Sequence, residues 1–249
     1  IAQCLVGSEM CIRDRYIVCE MKVWNAYILP PPQKVFETFL KMLKDGSIFI
    51  NIYASMKRVF IGFFISAIIG IPLGIFFGMV NSIYEYFKPL FNFFRNTPPL
   101  ALIPMLILWF GIGEKSKIII IILASFFPIF TSTLKGIRNC DSKLIEVGKA
   151  FELSRLQIIL KIIIPSAVLD IAVGLKLALG YSFRAIIGAE LVAASSGLGY
   201  LISDGKEMSR TDVVIVGIIV IGILGILCDY IFSILVKKVN KGKSVEAYE

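Results

Sequence analysis

The stretch Val59-Phe-Ile-Gly-Phe-Phe-Ile-Ser-Ala-Ile-Ile-Gly-Ile-Pro-Leu-Gly-Ile-Phe-Phe-Gly-Met-Val80 contains no charged residue and lies directly after Lys57 and Arg58. A helix needs about 20 predominantly apolar residues to cross the hydrocarbon layer of a bilayer, and this run supplies them. Working outward, four more runs meet the requirement. Residues 96–113 are uncharged, and the run extends backward through 90–94. Residues 118–134 are uncharged and lie between Lys117 and Lys135. Residues 162–194 are apolar apart from Asp170, Lys176, Arg184 and Glu190, and residues 213–236 are apolar apart from Asp229. Residues 16–29 read as the remnant of a further span. The expected fold is all-α: a polytopic transmembrane helix bundle with five clear spans and a truncated first span.

The composition agrees. Of the 249 residues 57% are hydrophobic and the mean hydropathy is +0.83, whereas soluble domains are about 45–50% apolar. The net charge of +8 does not indicate nucleic acid, because the basic residues sit between apolar runs and not on one soluble face. There they act as topology signals and partners for lipid headgroups. No histidine is present, which removes His-based acid–base relays, Ser-His triads and His-ligated metals. Cys4, Cys11, Cys19, Cys140 and Cys228 form no CxxC pair, so neither a metal site nor a disulfide framework is indicated. Residues 1–15 have no helical or strand period and do not resemble the rest of the chain. We expect them to be a non-native, adapter-derived leader and exclude them from fold reasoning.

The connections give the orientation. Leu29-Pro-Pro-Pro32 stops whatever precedes it, and residues 32–51 read as an amphipathic surface helix with Val35, Phe36, Phe39, Leu40 and Leu43 on one side. The long loop 135–161 carries Lys135, Arg138, Lys143, Lys149, Arg155 and Lys161, and the tail carries Lys237, Lys238, Lys241 and Lys243. Loop 195–212 has only Lys206 and Arg210, offset by Asp204, Glu207 and Asp212. Basic residues concentrate on the cytoplasmic side, which places loop 135–161 and the tail (239–249) inside and loop 195–212 outside. Gly70, Gly74 and Gly78 form overlapping GxxxG steps, which let another helix approach closely. Pro72, Pro98, Pro99, Pro104 and Pro128 lie within or beside spans, and broken helices persist at membrane depth only where protein or a wet cavity satisfies the freed backbone groups. Lys176, Arg184 and Glu190 share one span. They are candidates for a translocation pathway, although structural pairing or placement near an interface serves as well.

Loop 135–161 contains Glu146-Val-Gly-Lys-Ala-Phe-Glu-Leu-Ser154 and then Ile162-Ile-Ile-Pro165. It reads as two short helices with apolar faces: Leu144, Ile145, Val147, Ala150 and Phe151 on the first, Leu156, Ile159 and Leu160 on the second. Such a loop should dock on something. The pattern resembles the EAA loop of binding-protein-dependent ABC importer permeases. Glu146 stands in the Glu position, Ile162 in the Ile position and Ile164-Pro165 for Leu-Pro. Val147-Gly148 replaces Ala-Ala, and Glu152 occupies the Gly position, at or just after which we expect the chain to turn with positive φ. The resemblance covers residues 30–238 and is to the nitrate/sulfonate/taurine-type branch. It is carried also by Arg58-Val-Phe-Ile-Gly62, Asn96-Thr-Pro-Pro-Leu-Ala-Leu-Ile-Pro104, Leu108-Trp-Phe-Gly-Ile-Gly-Glu114, Ser125-Phe-Phe-Pro-Ile-Phe130, Gly188-Ala-Glu-Leu191, Ser196-Gly-Leu-Gly-Tyr-Leu201 and Arg210-Thr-Asp212.

The resemblance implies a type I importer permease in a bacterial cytoplasmic membrane, working as a dimer of permease copies. Cytoplasmic ATP-binding cassette subunits would grip Glu146, Lys149, Ala150, Phe151, Glu152, Ile162 and Pro165. An extracytoplasmic solute-binding protein would deliver nitrate, an alkanesulfonate, taurine or a vitamin-precursor pyrimidine. No catalytic residue and no cofactor is expected in this chain. Gly242-Lys243-Ser244 resembles the end of a phosphate-binding loop, but the required earlier Gly position holds Lys237, so ATP would be bound by the partner subunit. The alternatives from other classes are an intramembrane hydrolase using Asp170 and Asp229, and a channel or membrane scaffold. The charge asymmetry makes a first prediction: a reporter fused after Lys238 is cytoplasmic, and an epitope within residues 203–206 is reached from outside. Both on one face of the membrane would refute the span assignment.

Overall fold

The computed structural model describes residues 30–239, and every regular element in it is a helix. Helix α1 (Pro32–Lys44) begins within the proline run and carries proline in its first turn, where the missing N–H has no intrahelical partner to lose. It ends at Asp45, and Gly46 takes φ 72°. Helix α2 then runs without interruption from Ser47 to Met79. The surface helix expected over residues 32–51 is therefore shorter, and its last five positions belong to the span. The cause is Gly46, whose left-handed backbone costs other residues about 1–2 kcal/mol.

The remaining elements are α3 (Asn81–Asn96), a 3₁₀ turn (Pro99–Leu102), α4 (Ile103–Phe110), α5 (Glu114–Arg138), α6 (Ser142–Ala150), α7 (Arg155–Ile158), a π-type turn (Ile159–Ile163), α8 (Ile164–Ala193), α9 (Leu198–Glu207) and α10 (Thr211–Val239). Among the described residues, four helices are long and apolar enough to cross a membrane: Ser47–Met79, Glu114–Arg138, Arg155–Val192 and Thr211–Ile234. The run at 96–113 is not one straight helix. Asn81–Asn96 and Pro99–Phe110 meet at a bend of 80° and make a fifth crossing when taken together. Pro98 and Pro99 donate no backbone hydrogen bond, and a residue before proline is driven out of the helical region. Thr97 accordingly has ψ 118°. The remnant span expected at 16–29 and the leader at 1–15 lie outside the described residues.

Two compact units can be distinguished. In the first, residues 30–56 associate with Glu190–Leu224. Val35, Ile48, Leu198, Val216 and Val220 form its buried apolar cluster, and the Thr38 hydroxyl donates to Asp212 Oδ2 at 2.7 Å. Phe36 and Leu40, expected on the same face as Val35, are exposed instead.

The second unit comprises Lys57–Ala189 and residues 225–239. It is organised by α5. Helix α2 lies along α5 in the same direction. A Cβ added at Gly62, Gly70, Gly74 or Gly78 would meet Ile121, Ile129, Thr133 or Ile137 respectively, in constant register. Ser66 occupies the remaining step, and the Ser125 hydroxyl donates to Ser66 Oγ at 2.8 Å. The GxxxG pair read in the sequence is thus part of a longer stripe of small residues from 62 to 78. On an adjoining face, α8 runs antiparallel to α5: Gly136 abuts Ala167 and Asp170, and Gly174 abuts Ser132 and Pro128.

At Gly74 an added Cβ would stand 2.7 Å from Thr133 Cβ and 3.0 Å from the Phe130 carbonyl oxygen. Gly74→Ala should therefore cost about 1–3 kcal/mol through overpacking and lower the thermal midpoint of the purified protein. Gly222→Ala, where an added methyl meets nothing within 4 Å, should be neutral or stabilise by up to about 1 kcal/mol through helix propensity. Equal midpoints for the two variants would refute the close contact of α2 with α5.

Candidate functional site

The loop between α5 and α8 folds into a small helical unit. Asp141 caps α6, accepting from the Lys143 amide at 2.9 Å. Helix α6 closes at Phe151 and Glu152. The Glu152 amide donates to the Lys149 carbonyl at 2.9 Å, and the Leu153 amide donates to the Gly148 carbonyl at 3.1 Å. These are the two bonds of a Schellman closure, which requires a left-handed residue at the position Glu152 fills. Glu152 has φ 54°. The turn expected from the motif spacing is present, and it is made without glycine. Ser154 then starts α7 with a capping box: its hydroxyl accepts from the Gln157 amide, and Gln157 Oε1 accepts from the Ser154 amide.

The second short helix is not separate. It passes through the π-type turn, where the Ile164 amide donates to the Ile159 carbonyl, and continues into α8. Pro165 explains the wider turn, because it has no N–H to give to the carbonyl four residues back. Gly148, one of the departures from the family pattern, is buried. A Cβ there would stand 2.6 Å from Ile162 Cδ1, so α6 closes tightly onto the start of the long helix. With Gly148 and Ile158 turned inward, the opposite face exposes Leu144, Val147, Phe151, Leu156 and Leu160. Phe151 is 76% exposed. Glu146, Lys149, Ala150 and Glu152 are exposed beside it, Ile162 is half-buried, and Pro165 is exposed.

The three candidate pathway residues have different surroundings. Lys176 faces Asp229 at 3.5 Å. This engages one of the two aspartates that a hydrolase reading needs, while Asp170 packs against Gly136. Glu190 is 1% exposed. The Ser55 hydroxyl lies 2.9 and 2.8 Å from its two carboxylate oxygens, and the Gly199 amide donates to Oε2 at 2.9 Å. Ser55 Oγ in turn accepts from the Leu198 amide, and Asn51 Oδ1 accepts from the Gly197 amide. These contacts satisfy the first amides of α9, which would otherwise lack partners. Gly197 has φ 120°, and a side chain there would collide with the Glu190 carboxylate. The first glycine of the Gly-Leu-Gly string is thereby explained.

Arg184 lines a cavity of about 480 Å³ in the second unit. Its walls are Phe94, Arg95, Thr97, Pro99 and Leu100 from the broken span, Leu123 to Ser132 of α5, and Leu177, Tyr181 and Ala185 of α8. The Arg184 guanidinium sits 5.6 Å from the Tyr181 ring centre. Sequence reasoning missed Arg95, which looked like a boundary charge; its signal was its place one residue before the Asn96-Thr-Pro-Pro break. Also missed was the pairing of Arg58 with Glu114, whose oxygens accept from Arg58 Nε at 2.6 Å and Nη2 at 2.7 Å, and from Lys117 Nζ at 3.2 Å. Among the described residues, no group of three His, Cys, Asp or Glu side chains is placed to hold a metal ion.

Residues 70–241 match the family described as the binding-protein-dependent transport system inner membrane component. A Bacillus subtilis protein with the provisional name aliphatic sulfonates transport permease protein is 36% identical over 92% of this chain and 83% of its own length. The taurine transport system permease protein of Escherichia coli is 34% identical over 86% of this chain and 80% of its own. The nitrate import permease protein of Leptolyngbya laminosa is 33% identical over 78% and 70%. Among solved structures, an inward-facing methionine ABC transporter chain superposes with a TM-score of 0.68 at 19% identity, covering 76% of this chain and 94% of that one. That likeness concerns the fold. The chain belongs to the family of binding-protein-dependent transport system inner membrane components and is a multi-pass ABC-type permease, a transport subunit and not an enzyme.

Proposed function

We propose that this permease carries a small anionic solute of the sulfonate, taurine or nitrate class across a bacterial cytoplasmic membrane. A second copy would complete the pathway, an extracytoplasmic binding protein would deliver the solute, and separate ATP-binding cassette subunits would dock on α6 and α7. The observation that carries this reading is the exposed apolar face of Leu144, Val147, Phe151, Leu156 and Leu160. Glu146, Lys149, Glu152 and Arg155 are exposed among them. A face so interleaved with charge suits a protein groove better than lipid, with the aromatic ring as central anchor and the charged groups at the rim. The named relatives support the solute class, and the absence of a phosphate-binding loop in the sequence supports a separate ATPase. Closure of the partner on nucleotide would move the docked helices, and a two-state bundle would convert that movement into alternating access.

Phe151→Ala should lower co-purification of the ATPase and solute uptake together, by about 2 kcal/mol or more of binding, while membrane insertion stays intact. Glu146→Ala should weaken the same contact through loss of a charge-assisted hydrogen bond. Normal ATPase capture by both variants, with cysteines at 146 and 151 failing to cross-link to it, would place the coupling site elsewhere.

The Schellman closure makes a separate prediction. Glycine relieves the left-handed strain at residue 152 but loses more backbone entropy on folding. Glu152→Gly should therefore be neutral or stabilise the fold by up to about 1 kcal/mol, as read by thermal denaturation. A clear loss of stability would mean that the Glu152 side chain holds a contact beyond the turn.

A further inference from the structure

We propose that the cavity walled by the broken span, α5 and α8 is an anion subsite, in which Arg95 and Arg184 together hold a sulfonate or a comparable oxyanion in transit. The assignment of a transported anion rests on the permease reading given above; the charge preference of the cavity does not. The first observation is depth. The α5 residues on the wall run from Leu123 to Ser132 and straddle the middle of the 25-residue helix Glu114–Arg138. Those of α8 run from Leu177 to Ala185, inside the span Arg155–Val192. A guanidinium at such depth must face a counter-charge or a wet passage.

The second observation is that neither arginine has a carboxylate. Several other basic residues within or next to the spans are paired: Arg58 and Lys117 with Glu114, Lys176 with Asp229, and Arg210 with Asp212. Among the described residues, Arg95 and Arg184 have no acidic partner, and no Asp or Glu lines the cavity. The remaining polar groups fit an anion. The Thr97 and Thr131 hydroxyls are committed to the Phe93 and Phe127 carbonyls. The Ser132 and Tyr181 hydroxyls have no such commitment and are donors at the wall. A guanidinium offers planar paired donors that match the oxygens of a sulfonate or nitrate. The break at Thr97-Pro98 opens the helix wall at this level, the arrangement in which discontinuous membrane helices expose polar groups to a solute. About 480 Å³ accommodates a small anion with part of its hydration shell.

The test reads the charge preference directly. The five native cysteines are changed to serine, Thr131→Cys is introduced, and the full chain is placed in phosphatidylcholine nanodiscs. Modification rates are measured with the anionic reagent 2-sulfonatoethyl methanethiosulfonate and the cationic 2-(trimethylammonium)ethyl reagent, each normalised to a free thiol in solution. A cleft of one charge concentrates the opposite ion about tenfold or more, so the anionic reagent should react ~10-fold faster or more. Arg95→Gln combined with Arg184→Gln should bring the ratio to within about twofold of unity, and the paired lysine variants should retain the preference. Ethanesulfonate should protect the cysteine. Equal rates for the uncharged methyl reagent in all variants establish that the cavity is intact in each.

Absence of an anionic preference in the parent, or its survival in the double glutamine variant, overturns the subsite. So does protection by phosphatidylglycerol added to the discs without protection by ethanesulfonate, which would identify a lipid phosphate as the occupant. ATPase capture is followed on the same preparations. Loss of charge preference with capture intact refutes the subsite alone, and preserved preference without capture refutes only the proposed docking of ATPase subunits on this chain.

Discussion

Within the hydrocarbon layer, helices gain nothing by hiding apolar surface from one another, because lipid tails are as apolar as leucine. What holds α2, α5 and α8 together is therefore close contact. The stripe Gly62, Ser66, Gly70, Gly74 and Gly78 lets the α2 backbone rest against branched side chains of α5, and Gly136 and Gly174 do the same between α5 and α8. Isoleucine and threonine fit this role. Their branched side chains are stiff in a helix, so little rotamer freedom is lost when a glycine backbone closes over them. The broken span packs against α5 and α8. Ile103 and Leu106 of α4 reach the cluster of Ile120, Ala124, Ala185 and Ala189.

Charge is handled differently at the two kinds of position where it occurs. Near helix ends it is cancelled locally, as where Arg58 and Lys117 converge on Glu114. The buried Glu190 carboxylate is matched by amides and hydroxyls at the start of α9. The loop between α5 and α8 sorts its apolar groups in a similar way: Gly148 and Ile158 are buried, and Val147, Phe151 and Leu156 are left out.

Much of this is legible in the sequence because bilayer thickness imposes a length that apolar runs either meet or fail. The runs at 59–80, 118–134, 162–194 and 213–236 each correspond to a spanning helix. The run at 96–113 met the length but concealed the bend, since hydropathy is blind to backbone direction; the Thr97-Pro98-Pro99 string carried that information. The helical unit between α5 and α8 was legible as motif spacing, and the left-handed turn at Glu152 followed from that spacing even though the residue argued against it. Glu190 was not legible in the same way. A carboxylate inside an apolar run announces only that it is costly. Whether it meets a solute or caps a neighbouring helix depends on Ser55, 135 positions away, and no local pattern encodes that distance.

The fusion of α7 into α8 has a mechanical meaning. Leu156 and Leu160, on the exposed apolar face of the loop, and Arg184, on the cavity wall, belong to the same continuous helix, Arg155–Val192. The axial separation of Arg155 and Arg184 is roughly 45 Å at about 1.5 Å per residue. A rod of that length is a lever: a tilt of about 5° at one end sweeps the other by ~4 Å, comparable to the width of a small anion. The π-type turn ahead of Pro165 is the softest point along it, because one residue more than the usual number is wound into its turn. A push on α7 could thus reach the arginine as a sideways stroke, with no intermediate chain of contacts needed to relay it.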